Sequence, residues 1–132
     1  MGTPYVREAV EDWLGYLGTE RGLSANTVEA YARDISQFLA HLATELNRLP
    51  DMPQVIGLKA RDVRGFLAAR RETGVGSRSL SRTLSGLRMF YKFLERRGYG
   101  KNDAIRAVSL PKLPHSVPKP LTAEKATALV DG

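Results

Sequence analysis

Ser77-Arg78-Ser79-Leu80-Ser81-Arg82-Thr83-Leu84-Ser85-Gly86-Leu87-Arg88-Met89-Phe90-Tyr91-Lys92-Phe93-Leu94-Glu95-Arg96-Arg97 is the stretch on which the fold turns. Projected at about 100° per residue, it divides into two faces. Leu80, Thr83, Leu84, Leu87, Phe90, Tyr91 and Leu94 share one side. Arg78, Ser81, Arg82, Ser85, Arg88, Lys92 and Arg96 fall within about 80° of Arg78 on the other. The spacing predicts a long amphipathic helix with an apolar back and a cationic front, ending at Gly98. No acid occurs between Ser77 and Leu94, whereas a solvated helix face ordinarily mixes both signs for i,i+4 pairing. Arg78 and Arg82 also lie near the positive end of the helix dipole, where a cation is mildly unfavourable unless an anion binds.

Three further segments carry a helical repeat. Val6, Val10, Trp13, Leu14 and Leu17 make an apolar stripe that stops by Gly22. Val28, Tyr31, Ile35, Phe38, Leu39, Leu42 and Leu46 make a second, with either Ser24 or Asn26 as its cap. Val63, Phe66 and Leu67 make a third, over roughly 60–73, closed by Gly74 and Gly76. Pro50 and Pro53 read as a loop, and 103–108 as a short turn or helix. No stretch of similar length alternates with period two, so the fold class is all-α. Trp13, Tyr31 and Tyr91 fall on apolar stripes and are assigned to the core.

Four of the seven prolines lie within 109–120. That density removes backbone donors and favours an extended linker. Thr122 then caps what looks like the start of another helix. The expected organisation is a helical domain over 1–108, a Pro-rich linker over 109–120, and the first residues of a truncated second domain over 121–132.

Composition narrows the chemistry. The chain has 132 residues, a net charge of +6, two histidines and no cysteine. Disulfide frameworks and Cys-ligated metal sites are excluded, and His41 and His115 cannot build a three-histidine centre. No cofactor or metal is expected. No apolar run is long enough to span a bilayer, and no signal-peptide core opens the chain, so a soluble intracellular protein without a membrane partner is expected. Charge is unevenly spread: residues 1–58 carry a net −4, residues 59–106 a net +9, and the remainder +1. Such a basic block is the footprint of a polyanionic partner. Long cationic side chains reach phosphates, small hydroxyl residues permit close approach, and Arg can hold a guanine edge. On the second helix the outer face offers Asn26, Thr27, Ala30, Arg33, Asp34, Gln37 and His41, among which Asn26, Thr27 and Arg33 are candidate DNA contacts. No nucleophile–base pair or phosphate loop is present, so no catalytic residue is assigned.

The stretch Tyr16-Leu17-Gly18-Thr19-Glu20-Arg21-Gly22-Leu23-Ser24, followed by Asn26-Thr27 and Tyr31-Ala32-Arg33-Asp34-Ile35, resembles the N-terminal core-binding domain of Xer-type tyrosine recombinases of the phage-integrase superfamily. Leu87-Arg88-Met89-Phe90-Tyr91-Lys92-Phe93-Leu94 is similar to that family's fourth helix, and Leu110-Pro111-Lys112-Leu113-Pro114 with Val117-Pro118-Lys119-Pro120-Leu121-Thr122 to its interdomain junction. The resemblance implies a compact four-helix, SAM-like domain with a short fifth helix or turn. It also implies that the second and fourth helices cross the major groove of a recombination site, placing Asn26, Thr27 and Arg33 on one and Arg78, Arg82, Ser85, Arg88 and Lys92 on the other. Ser81 and Arg96 join them from the helical projection. The resemblance further implies partner recombinase subunits, a bacterial cytoplasmic setting, and catalytic groups in a C-terminal domain, so that this segment only binds. The alternative is a free-standing helical DNA-binding regulator, with its recognition helix following a short turn.

Overall fold

The computed structural model describes residues 6–110. Its elements are α1 (Val6–Thr19), α2 (Ala25–Leu46), α3 (Met52–Ile56), α4 (Ala60–Glu72), α5 (Ser77–Arg96) and α6 (Ala104–Ala107). There is no strand among the described residues. The linker from residue 111 onward and the helix start at Thr122 lie outside them.

The four long helices form where the apolar repeat places them, and their ends follow from local chemistry. Ser24 is the cap of α2: its Oγ accepts from the Thr27 backbone N–H at 3.2 Å. Asn26 therefore lies within the first turn and has no capping duty. At the other end Asn47 takes a left-handed φ of 64°, and Arg48 N–H donates to the Ala43 carbonyl. Helix α5 closes in a Schellman arrangement. Gly98 adopts φ +84°, Tyr99 N–H donates to Leu94 at 3.0 Å, and Gly98 N–H donates to Glu95 at 3.1 Å.

The expected loop around Pro50 and Pro53 contains a helix. Asp51 Oδ1 accepts from Gln54 N–H at 2.9 Å, and Gln54 Oε1 accepts from Asp51 N–H at 3.0 Å. This reciprocal cap nucleates α3, and Pro53 sits in the first turn, where a missing N–H costs no intrahelical bond. Proline here starts a helix instead of preventing one.

Helix α5 is the axis of the domain, packing against α1, α2, α4 and α6. Its Leu80, Leu84, Leu87, Phe90, Tyr91 and Leu94 are all buried. Phe90 meets Trp13 edge-on at 5.3 Å between centroids, and Phe38 meets Phe66 the same way at 5.2 Å. Each such pair adds about 0.5–1.5 kcal/mol beyond its burial. Two polar ties fix the short elements. Tyr91 Oη donates to the Val55 carbonyl at 2.7 Å, holding α3. Asn102 Nδ2 donates to the Ile56 and Leu58 carbonyls at 2.6 and 2.9 Å, while its Oδ1 accepts from Ile105 N–H at 3.0 Å. Burial raises the Tyr91 pKa far above the usual phenol range.

Candidate nucleic-acid interface

Helices α2 and α5 lie side by side, and two facing pairs show how. Gly86 abuts the Tyr31 ring so closely that a Cβ built on it would lie 2.7 Å from Tyr31 Cδ1. One turn along, Asp34 faces Arg82. The residue numbers run in opposite directions, so the helices are antiparallel. Glycine at 86 is what lets them approach.

The cationic front of α5 divides into free and engaged side chains. Arg78, Ser81, Ser85 and Lys92 are exposed, and neither Arg78 nor Lys92 has a carboxylate within 4.0 Å among the described residues. They stand about 21 Å apart along the axis, a length over which a duplex presents about a dozen phosphate charges.

Arg82 departs from the rest of the cationic front. Its Nε and Nη2 both donate to Asp34, each at 2.8 Å. The Asp34 side chain is only 4% exposed and that of Arg82 is 36% exposed. Asp34 therefore does not belong to the outer face of α2. It borders the Tyr31–Ile35–Phe38 stripe and is buried with a guanidinium from α5 as its partner. The hydrogen bonds to Asp34 hold the Arg82 pKa above even its usual high value. Arg88 is exposed, yet its Nη2 donates to the Val108 carbonyl, strapping the end of α6 to α5. Arg96 Nη2 donates to Tyr16 Oη at 3.1 Å, with its guanidinium 5.8 Å from that ring. That hydrogen bond, assisted by the charges of Arg96 and Arg21, lowers the Tyr16 pKa. Arg88 and Arg96 remain at the surface with further donors available, but neither is idle.

On α2, Asn26 is exposed and Thr27 half-buried. Thr27 Oγ1 accepts from the Ser24 hydroxyl at 2.9 Å, which leaves its own proton free to donate. Arg33 is exposed, with Glu29 at 4.0 Å, a loose surface pair worth little. His41 is half-buried against the Phe66 ring, with centroids 5.5 Å apart. Among the described residues no group of acids and histidines could hold a metal ion, and no helix is long and apolar enough to cross a membrane.

A sequence profile of the phage integrase N-terminal SAM-like domain matches residues 10–98, which takes in α2 through α5 and most of α1. This chain belongs to that family. As a phage-integrase SAM-like domain it is 52% identical over 128 residues to "Tyrosine recombinase XerC" of Methylobacterium sp. (strain 4-46), covering 97% of this chain and 40% of that protein. It is 50% identical over 129 residues to the protein of the same name in Methylobacterium nodulans, covering 98% and 40%. With that of Mesorhizobium japonicum the identity is 46% over 127 residues, covering 96% and 41%. The chain thus spans about two fifths of the length of these relatives. The all-α, SAM-like fold expected from the periodicity and the resemblance is the one the integrase domain has.

Proposed function

We propose that this phage-integrase SAM-like domain is the duplex-binding part of a bacterial site-specific tyrosine recombinase. In this reading residues 1–108 hold the recombination site through the joint surface of α2 and α5. Residues 109–120 link them to a catalytic domain beginning near 121, which cuts and rejoins the strands, and further recombinase subunits complete the assembly in the cytoplasm. The observation that carries the reading is the exposed front of α5, cationic and hydroxylated without an intervening acid, beside the exposed Asn26 and Arg33 of α2. The names of its relatives point the same way.

Four exposed cations, Arg33, Arg78, Arg88 and Lys92, are the phosphate contacts. Arg82 contributes little net charge, because Asp34 neutralises it. At about 0.9 per contact, log K against log salt should fall with a slope of about −3.6. Fluorescence anisotropy of a labelled duplex at several salt concentrations measures it, and a flat line refutes the proposal. Thr27 and Asn26 supply uncharged donors at the start of α2, Ser81 and Ser85 allow close approach, and Arg96 extends the surface at the far end of α5.

A further inference from the structure

Arg82 is the cation on the front of α5 that is held through two hydrogen bonds to a buried carboxylate. A guanidinium carries five N–H donors in a rigid fork. Two of them, on Nε and Nη2, are spent on Asp34. The other three include the end-on pair shared by Nη1 and Nη2, and 36% of the side chain stays exposed. Arg82 lies on the same face as Arg78 and Ser85, one turn from each.

What would such a fork bind? Pairing with a buried carboxylate removes most of the long-range attraction for a phosphate, since the anion would feel Asp34 as well as Arg82. It weakens directional donation to a neutral acceptor far less, and it lowers the entropy lost on contact because the side chain is already held. A neutral pair of acceptors at fork spacing is what guanine presents on its major-groove edge, at O6 and N7. Burying a carboxylate against an arginine is also a poor way to gain stability compared with apolar packing, so the pair calls for another role. We infer that Asp34 is a positioning residue that aims Arg82 at a guanine, making Arg82 a determinant of sequence preference and not of general affinity. This rests on the duplex-binding reading above.

The test is selection of bound duplexes from a library of random base-pair sequence by the full chain, as wild type, R82K and D34N. Lysine keeps the charge and a bond to Asp34 but has no fork. Asparagine keeps the shape of Asp34 but replaces one of its two acceptors with a donor, which breaks the bidentate anchor. At one position wild type should enrich guanine about tenfold, and both variants should lose that preference while still binding. Substituting 7-deazaguanine there, which removes the N7 acceptor, should weaken wild-type binding about as much, and this arm does not depend on any variant folding. A loss equal for all sequences in R82K would make Arg82 a phosphate contact and overturn the inference. An unchanged preference in both variants, or indifference to 7-deazaguanine, would leave the pair a helix clamp and overturn it too. If wild type binds no duplex at any salt, the duplex-binding reading fails first, and the inference falls with it.

Discussion

Gly86→Ala should reverse its effect on stability according to what stands opposite. In an exposed helix interior the change gains about 0.5–1 kcal/mol by reducing the entropy of the unfolded chain. Here the new Cβ would meet Tyr31 Cδ1 at 2.7 Å and Cε1 at 3.1 Å. The ring cannot simply swing away, because Trp13 lies against it with centroids 6.1 Å apart. Relieving the overlap pushes α2 from α5 at a cost of about 1–3 kcal/mol, which exceeds the helix gain. The net loss should be about 1–2 kcal/mol, and each kcal/mol lowers the thermal midpoint by about 4–8 °C in a domain of this size. In a Tyr31→Ala background the obstacle is gone, and the same substitution should stabilise by about 0.5–1 kcal/mol. The cycle therefore predicts a coupling of about 2 kcal/mol between positions 31 and 86. Urea unfolding of the four proteins, followed by far-UV circular dichroism, measures it. Equal shifts in the two backgrounds, or a higher midpoint for Gly86→Ala alone, would mean that the Tyr31 ring does not limit the side chain at 86.

Other consequences of the packing can be checked in the same way. Removing the two partners of the ion pair should be unequal: Arg82→Ala strands a buried carboxylate and should cost about 3 kcal/mol, whereas Asp34→Ala leaves a guanidinium that can rehydrate and should cost about 1–2 kcal/mol; urea midpoints decide the order. Asp51→Ala removes the cap of α3 and should cost about 1 kcal/mol, read in the same unfolding experiment. In a phenolate absorbance titration Tyr16 should ionise below the usual phenol range, and Arg96→Met should move that transition upward, since the Arg96 hydrogen bond is its main cause. Tyr91 should stay protonated in the folded chain, and because its folded pKa is raised, its contribution to stability is intact below about pH 10 and declines above it as the unfolded chain ionises. Tyr91→Phe should flatten that alkaline loss.

Reading the chain as helices was possible because burial of an amphipathic helix imposes a repeat of 3.6, and the repeat survives in residues such as Leu80, Leu84, Leu87, Phe90 and Leu94. Stops were legible for a related reason: Gly98 is needed where φ turns positive, whatever surrounds it. Helix α3 was hidden because two prolines in four residues suggest a break, and only the reciprocal Asp51–Gln54 bonds show that they open a turn. The position of Asp34 was obscured by its charge. Its spacing from Tyr31 and Phe38 already borders the inward stripe, but a carboxylate is assigned to water unless its partner is known.

That partner lies 48 residues away, too far along the chain for any local spacing to announce it. Helix type, the faces of each helix, the basic block and the relationship to integrases all follow from the order of residues, since each depends on local spacing or on the presence of a motif. Which guanidinium remains free depends instead on how α2 and α5 dock. A single projection treats Arg78, Arg82, Arg88 and Arg96 as equals. The packed domain gives Arg82 a buried carboxylate, Arg88 a backbone carbonyl and Arg96 a phenol, and leaves Arg78 and Lys92 without a carboxylate partner among the described residues, because electrostatic pairing acts through space over a few ångströms and is indifferent to separation along the chain.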